Sequence, residues 1–216
     1  MNARAVNKSD ASEPDPTTRE RLLLVASGMF IRNGYAGTSL AKIADEVGVS
    51  TPALYWHFDS KAELFVAAME KILVDFVESV ASAVGDGPPT ERLAQFCRAH
   101  VLWQLERREE ANAYAASLGF RELKAALTPQ QRRRVLKLQR SHVQLLRDIL
   151  AAGERAGDFR FGDLRVTAFA IVTLCEYVFS WYDPEGVLGP EDVADYYCQL
   201  VLAMVGTSGA SGASGS

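Results

Sequence analysis

From Thr17 to Val205 the apolar residues of this chain return every three or four positions, and the one strand-like alternation, Phe159-Arg160-Phe161, is too short to matter. Such spacing lines up apolar side chains on one face of a helix, so the fold class expected is all-α, with about nine helices. A first helix opens at Thr17 or Thr18 behind Pro16, carries Leu22, Val25, Ala26, Met29 and Phe30 on one face, and stops at Asn33-Gly34. A very short second helix is capped by Thr38 or Ser39 and ends at Gly48, whose backbone freedom suits a tight turn. A third is capped by Ser50 or Thr51, has Pro52 in its first turn, and runs only to about Trp56. From Ser60 a longer helix reaches the Gly85-Asp86-Gly87-Pro88-Pro89 break, and further helices are expected at 90–106, 109–118, 128–155, 163–182 and 190–205.

Composition narrows the class. A chain of 216 residues with 48% hydrophobic and 23% charged residues can build a real core, which a disordered chain cannot. Residues 1–16, polar with Pro14 and Pro16, and residues 206–216, a Gly/Ser/Ala run, have little to bury and are expected to be disordered tails. No apolar run approaches the roughly 18 residues of a membrane span. Arg4 and Lys8 are followed by no apolar stretch of the secretory kind, so a cytoplasmic location is expected. Cys97, Cys175 and Cys198 are far apart with no CxxC spacing, which suits reduced, packed thiols and gives neither a disulfide framework nor a metal site. The net charge is −4, and residues 1–70 hold 7 Lys/Arg against 9 Asp/Glu. That balance excludes a protein that coats nucleic acid by bulk charge and leaves room for a reader with few specific contacts.

The short helices spanning 39–56, joined by a turn at Gly48 and backed by a supporting helix, have the layout of a helix-turn-helix, whose second short helix enters the DNA major groove. The groups this helix offers to bases are Ser50, Thr51, Pro52, Ala53, Tyr55, Trp56 and His57: hydroxyls, a ring N–H and apolar carbon for thymine methyls, with no Arg or Lys for guanine. Phosphate contacts are expected from Thr38, Ser39, Lys42, Tyr55 and Lys61. The order Gly37-Thr38, Ile43-Ala44, Gly48-Val49-Ser50, Leu54-Tyr55, His57-Phe58 and Lys61 resembles the DNA-binding domain of the TetR family of transcriptional regulators. Ala41 stands where many members of that family carry Arg, a contact that Lys42 or the arm residues Arg19 and Arg21 would then supply. The resemblance implies a DNA-binding domain at 17–62, a ligand-binding and dimerisation domain at 63–205, and a homodimer on a palindromic double-stranded operator.

In the second half, the segment 169–181 is apolar nearly all round, so it must be covered on two sides, once by its own domain and once by a second copy of the chain. The helices at 163–182 and 190–205 are therefore expected to form the dimer face. The Trp181-Tyr182-Asp183-Pro184-Glu185-Gly186 segment and the turn at 156–159 loosely resemble a TetR subgroup that answers to acyl-CoA thioesters of fatty-acid or sterol breakdown. A small hydrophobic effector, an acyl-CoA or a related acid, is the implied ligand, and no cofactor is implied. Its pocket is expected among the helices at 90–106, 109–118, 128–155 and 163–182, lined by Phe96, His100, Trp103, Gln104, Tyr114, His142, Leu145, Cys175 and Phe179. Arg132, Arg133 and Arg134, with Arg121 and Lys124, are either a solvated face or a seat for coenzyme A phosphates. Catalysis is not expected: His57, His100 and His142 are scattered without a Ser or Cys partner, and GxSxG, HExxH, P-loop and GxGxxG patterns are missing. The rival reading is a helical small-molecule-binding or scaffold protein without specific DNA binding.

Overall fold

The computed structural model describes residues 17–119 and 127–206, and the expected tails at 1–16 and beyond Gly206, like Arg121 and Lys124, lie outside them. Among the described residues there are nine α-helices, a single 3₁₀ turn and no strand: α1 (Thr18–Gly37), α2 (Leu40–Val47), α3 (Thr51–Tyr55), α4 (Lys61–Ala83), α5 (Pro89–Glu106), α6 (Arg108–Gly119), α7 (Pro129–Ala156), α8 (Leu164–Glu176), the turn Val178–Ser180, and α9 (Pro190–Met204). Local chemistry starts most of them. Thr17 and Glu20 form a capping box at α1, Thr128 and Gln131 another at α7, and Ser50, Ser60 and Asp163 accept backbone N–H groups at α3, α4 and α8.

Two expectations at helix ends change. The chain does not leave α1 at Asn33-Gly34; Gly34 takes φ 66°, ψ 177° and kinks the helix, which then completes one further turn to Gly37. The expected helix at 163–182 divides after Glu176 because Val178 and Phe179, neighbours in sequence, are buried in different hydrophobic clusters. The tighter 3₁₀ turn delivers one to each.

Those two clusters organise the molecule. One joins α1–α4 through Leu22, Phe30, Ile43, Leu54, Phe58 and Leu64, and reaches Trp103 of α5, Ala111 of α6 and Phe179. The other joins α5, α7, α8 and α9 through Phe96, Leu150, Ile171, Val193 and Val201. Each large side chain fully withdrawn from water contributes about 1.5–3 kcal/mol. Helix α4 serves both, with Leu64, Phe65, Ala68, Met69 and Ile72 in the first and Val80 in the second. At the far end, α7 stops at Gly157 (φ 79°), and a methyl at Gly153 would overlap the Phe159 ring, so the chain reversal needs glycine twice.

Candidate functional site

The α2–α3 pair is set by a few local bonds. Gly48 adopts φ 78°, ψ 32°, its N–H donates to the Asp45 carbonyl at 3.0 Å, and the Val49 N–H donates to the Ala44 carbonyl at 2.9 Å. Ser50 Oγ then accepts the Ala53 N–H at 3.2 Å and opens α3, whose Leu54 is buried against the cluster beneath. The outward face carries Tyr55, 49% exposed, and Trp56, 88% exposed, beside exposed Ser50 and Pro52; Thr51, Ala53 and His57 are partly exposed. A large aromatic surface left in water on so small a helix is the kind of feature that marks a contact surface.

The surrounding groups are placed as follows. Lys42 is exposed on α2, and Ser39 is partly exposed ahead of it. Lys61 lies at the start of α4 with Nζ 4.6 Å from the Tyr35 ring centroid and 3.4 Å from the Ala36 carbonyl. Thr38 corrects the expectation of a DNA-facing side chain: it is buried, and its hydroxyl donates to the Gly34 carbonyl at 2.8 Å and the Met29 carbonyl at 3.1 Å. The hydroxyl thereby ties the end of α1 beyond the Gly34 kink to the helix before it. The two arm cations are likewise engaged, Arg21 donating to the Val47 carbonyl at 2.8 Å and Arg19 lying 4.9 Å over the Phe58 ring.

A cavity of about 250 Å³ lies between α4, α5, α6, α7 and α8. Ile72, Leu73, Phe76 and Val77 of α4 form one wall, and His100, Trp103 and Gln104 of α5 the next, presented together by their i, i+3, i+4 spacing. Tyr114 of α6, Gln139, His142 and Val143 of α7, and Phe169, Thr173, Glu176 and Tyr177 around α8 complete it with Phe179. Of the residues expected from sequence, His100, Trp103, Gln104, Tyr114, His142 and Phe179 come together here. Phe96, Leu145 and Cys175 do not line it. Phe96 sits one turn back from His100 and packs behind the rings, its centroid 4.9 Å from that of His142. Leu145 and Cys175 follow the lining residues Val143 and Thr173 by two positions, more than half a turn round their helices, and join the other cluster. Cys175 there meets Cys97, Sγ to Sγ 3.7 Å, and all three cysteines are free.

The polar groups of the cavity are unusual. Gln104 Nε2 lies 3.5 Å from His100 Nε2, which leaves His100 Nδ1, Gln104 Oε1 and both ring nitrogens of His142 buried without a hydrogen-bond partner among the described residues. Burial pushes the His100 imidazole well below its usual range, helped by His142, and holds His142 down at about 4. Both are neutral near pH 7. Glu176, its pKa pushed up by burial, is the one acidic or basic side chain besides the histidines and Tyr114 and Tyr177 among the described residues of the lining. Sequence reading missed it, although a lone acid in an otherwise apolar turn of α8 was a signal; Phe76, Gln139, Phe169 and Tyr177 needed the helix packing to be found. No cluster of His, Cys, Asp and Glu fit to hold a metal exists among the described residues, and no helix there is long and apolar enough to cross a membrane.

The outer face of α8 and α9 exposes Val166, Phe169, Tyr177 and Trp181 around a groove of about 1020 Å³, with Tyr196, Leu200 and Met204 exposed on α9. Trp181 is held across it by its indole N–H, which donates to the Tyr197 hydroxyl at 3.2 Å.

Known proteins match this arrangement along most of the chain. Residues 22–68 match the model of bacterial regulatory proteins of the tetR family, and residues 86–205 that of the tetracyclin repressor-like C-terminal domain. The transcriptional repressor KstR2 of Rhodococcus jostii is 27% identical over 196 residues, 85% of this chain and 89% of that protein. The transcriptional activator FasR of Mycolicibacterium smegmatis is 39% identical over 71 residues, so the match spans about a third of each chain. Among solved structures, a tetR-family regulatory protein from Rhodococcus RHA1 superposes with a TM-score of 0.77 at 26% identity, covering 90% of this chain and all of that one. AibR in complex with isovaleryl coenzyme A and operator DNA superposes with a TM-score of 0.71 at 25% identity, covering 88% and 100%. With helix-turn-helix and C-terminal domain both matched, the chain belongs to the TetR family of DNA-binding transcriptional regulators.

Proposed function

We propose that the protein is a ligand-responsive repressor, a homodimer that holds a palindromic operator when empty and releases it when a small hydrophobic effector enters the cavity. The observation that carries this reading is the double duty of α4. Ile72, Leu73, Phe76 and Val77 wall the cavity, while Leu64, Phe65, Ala68, Met69 and again Ile72 belong to the cluster under α2 and α3. A ligand that pushes on α4 therefore moves the platform of the reading helix, and it does so to the extent that it binds one α4 position more tightly than the other. Two reading helices of a dimer must stay about 34–36 Å apart, or a multiple, to meet successive half-sites.

Repression is favoured over activation by the similarity to KstR2, which runs nearly the length of both chains, whereas that to FasR is confined to 71 residues. On the DNA side we assign base contact to Ser50, Thr51, Pro52, Ala53, Tyr55, Trp56 and His57, and phosphate contact to Lys42, Lys61 and the backbone near Ser39. The α8–α9 face is the dimer surface, since its apolar side chains otherwise stand in water. The effector class is an acyl-CoA thioester: AibR, similar along its whole length, was crystallised with isovaleryl coenzyme A. The acyl group enters the cavity and the nucleotide stays outside, where Arg133, Lys137 and Arg140 follow one another at i, i+4, i+7 on the exposed side of α7. Arg134 is committed elsewhere, to Glu70 of α4 at 2.7 Å.

The test is a gel shift on the DNA flanking the protein's own gene, with and without isovaleryl-CoA and longer acyl-CoAs. A specific shift reversed by a thioester is expected. A protein that shifts no such fragment at low salt is a small-molecule-binding or scaffold protein instead, and a shift indifferent to every thioester removes the effector class.

A further inference from the structure

Resting on the reading of this cavity as the effector site, the geometry points to what the effector's buried end must be: a small uncharged group bearing a carbonyl or hydroxyl oxygen, held by His100, His142 and Gln104, with carboxylates turned away by Glu176. Three observations converge on it. His100, Gln104 and His142 are all more than nine-tenths buried, at 1%, 5% and 5% exposure, yet four of their polar atoms lack a partner among the described residues. Leaving such atoms unpaired is costly, and a bound oxygen would satisfy them. The 3.5 Å approach of the Gln104 amide to His100 Nε2 makes that nitrogen the acceptor and places the His100 proton on Nδ1, one of the unpartnered atoms. The cavity thus offers N–H donors from two rings 5.0 Å apart, and acceptors in Gln104 Oε1 and the second His142 nitrogen.

Charge decides against an acid. Among the described residues the lining holds no Lys or Arg, and Glu176 adds a carboxyl of its own. A buried carboxylate would lose its hydration and gain no cation. Protonating a histidine to receive it runs against the burial that keeps His142 at about 4. Size decides against bulk: about 250 Å³ is roughly eight water volumes, enough for one substituted ring or a short branched acyl group.

Four probes of one size separate the possibilities by quenching of tryptophan fluorescence, to which Trp103 in the cavity wall contributes, and by thermal shift: acetophenone, ethylbenzene, benzoate and 1-phenylethylamine. Acetophenone is expected to bind about tenfold more tightly than ethylbenzene, the yield of a buried hydrogen bond. That preference is expected to vanish in His142→Leu, and benzoate is expected to bind detectably only in Glu176→Gln. Equal or tighter binding of benzoate by the wild type, a stronger response to the amine, a preference for acetophenone that survives His142→Leu, or no response to any of the four at millimolar concentration would each overturn the proposal. Operator occupancy, read separately by gel shift, tells the two readings apart. If acyl-CoAs release DNA while the probe preference is absent, only this inference fails; if the preference holds and no thioester releases DNA, the acyl-CoA effector class fails and this inference stands.

Discussion

His100 and His142 face each other with ring centroids 5.0 Å apart, one from α5 and one from α7, and the Phe76 ring of α4 lies within 4.8 Å of both. Three helices thus meet at two neutral imidazoles that the fold leaves unsatisfied.

Replacing one of them should make the empty protein more stable. His142 is buried with neither ring nitrogen partnered, so His142→Leu, similar in volume, removes a desolvation cost and keeps the packing. A gain of about 1–2 kcal/mol, read as a higher melting temperature without ligand, is expected together with a weaker response to effector. A lower melting temperature would mean that the imidazole has partners in solution.

The same pair predicts acid sensitivity. His142 titrates near 6.5 when unfolded and at about 4 when folded, so between those values the unfolded chain binds the extra proton. Stability present above pH 6.5 is lost as pH falls toward 4, by about 3 kcal/mol for this residue. His100 acts in the same direction, while Glu176 across the cavity, whose pKa is raised, acts in the opposite one; α4 contributes no titratable group to the lining. Chemical denaturation from pH 7 to pH 4 is the measurement, and His142→Leu should flatten a large part of the decline.

On the DNA side, Lys61 rests over Tyr35 in the free protein and makes no ion pair among the described residues. Lys61→Ala should therefore cost less than about 1 kcal/mol of stability. It should weaken operator binding and lower the slope of log K against log salt by about 0.9, one phosphate contact. An unchanged slope in salt-dependent titrations would place Lys61 away from the backbone.

Leu200 is exposed on α9 in the apolar groove formed with Trp181 and Tyr196. Leu200→Glu puts a charge at the centre of the proposed dimer face while touching neither core cluster. Sedimentation velocity at micromolar concentration should show a folded monomer with reduced operator affinity; a persistent dimer would move the interface elsewhere.

Much of this molecule was legible along the chain, because helix starts, stops and the α2–α3 turn are decided by neighbours. The Thr17–Glu20 and Thr128–Gln131 boxes, the Ser50 cap and the left-handed Gly48 all act within four residues, so the reading helix and its exposed aromatics could be placed from sequence alone. Packing between distant segments decided the rest. It turned the Thr38 hydroxyl inward to the Met29 and Gly34 carbonyls, and it brought Cys175 to Cys97, 78 positions away, instead of to the cavity. It split the helix expected at 163–182 so that Val178 and Phe179 enter different clusters, and it set Glu176 opposite two histidines. Periodicity says which face of a helix is apolar; which neighbour that face meets, and which polar atoms are left there without a partner, follows only from how the helices close on one another.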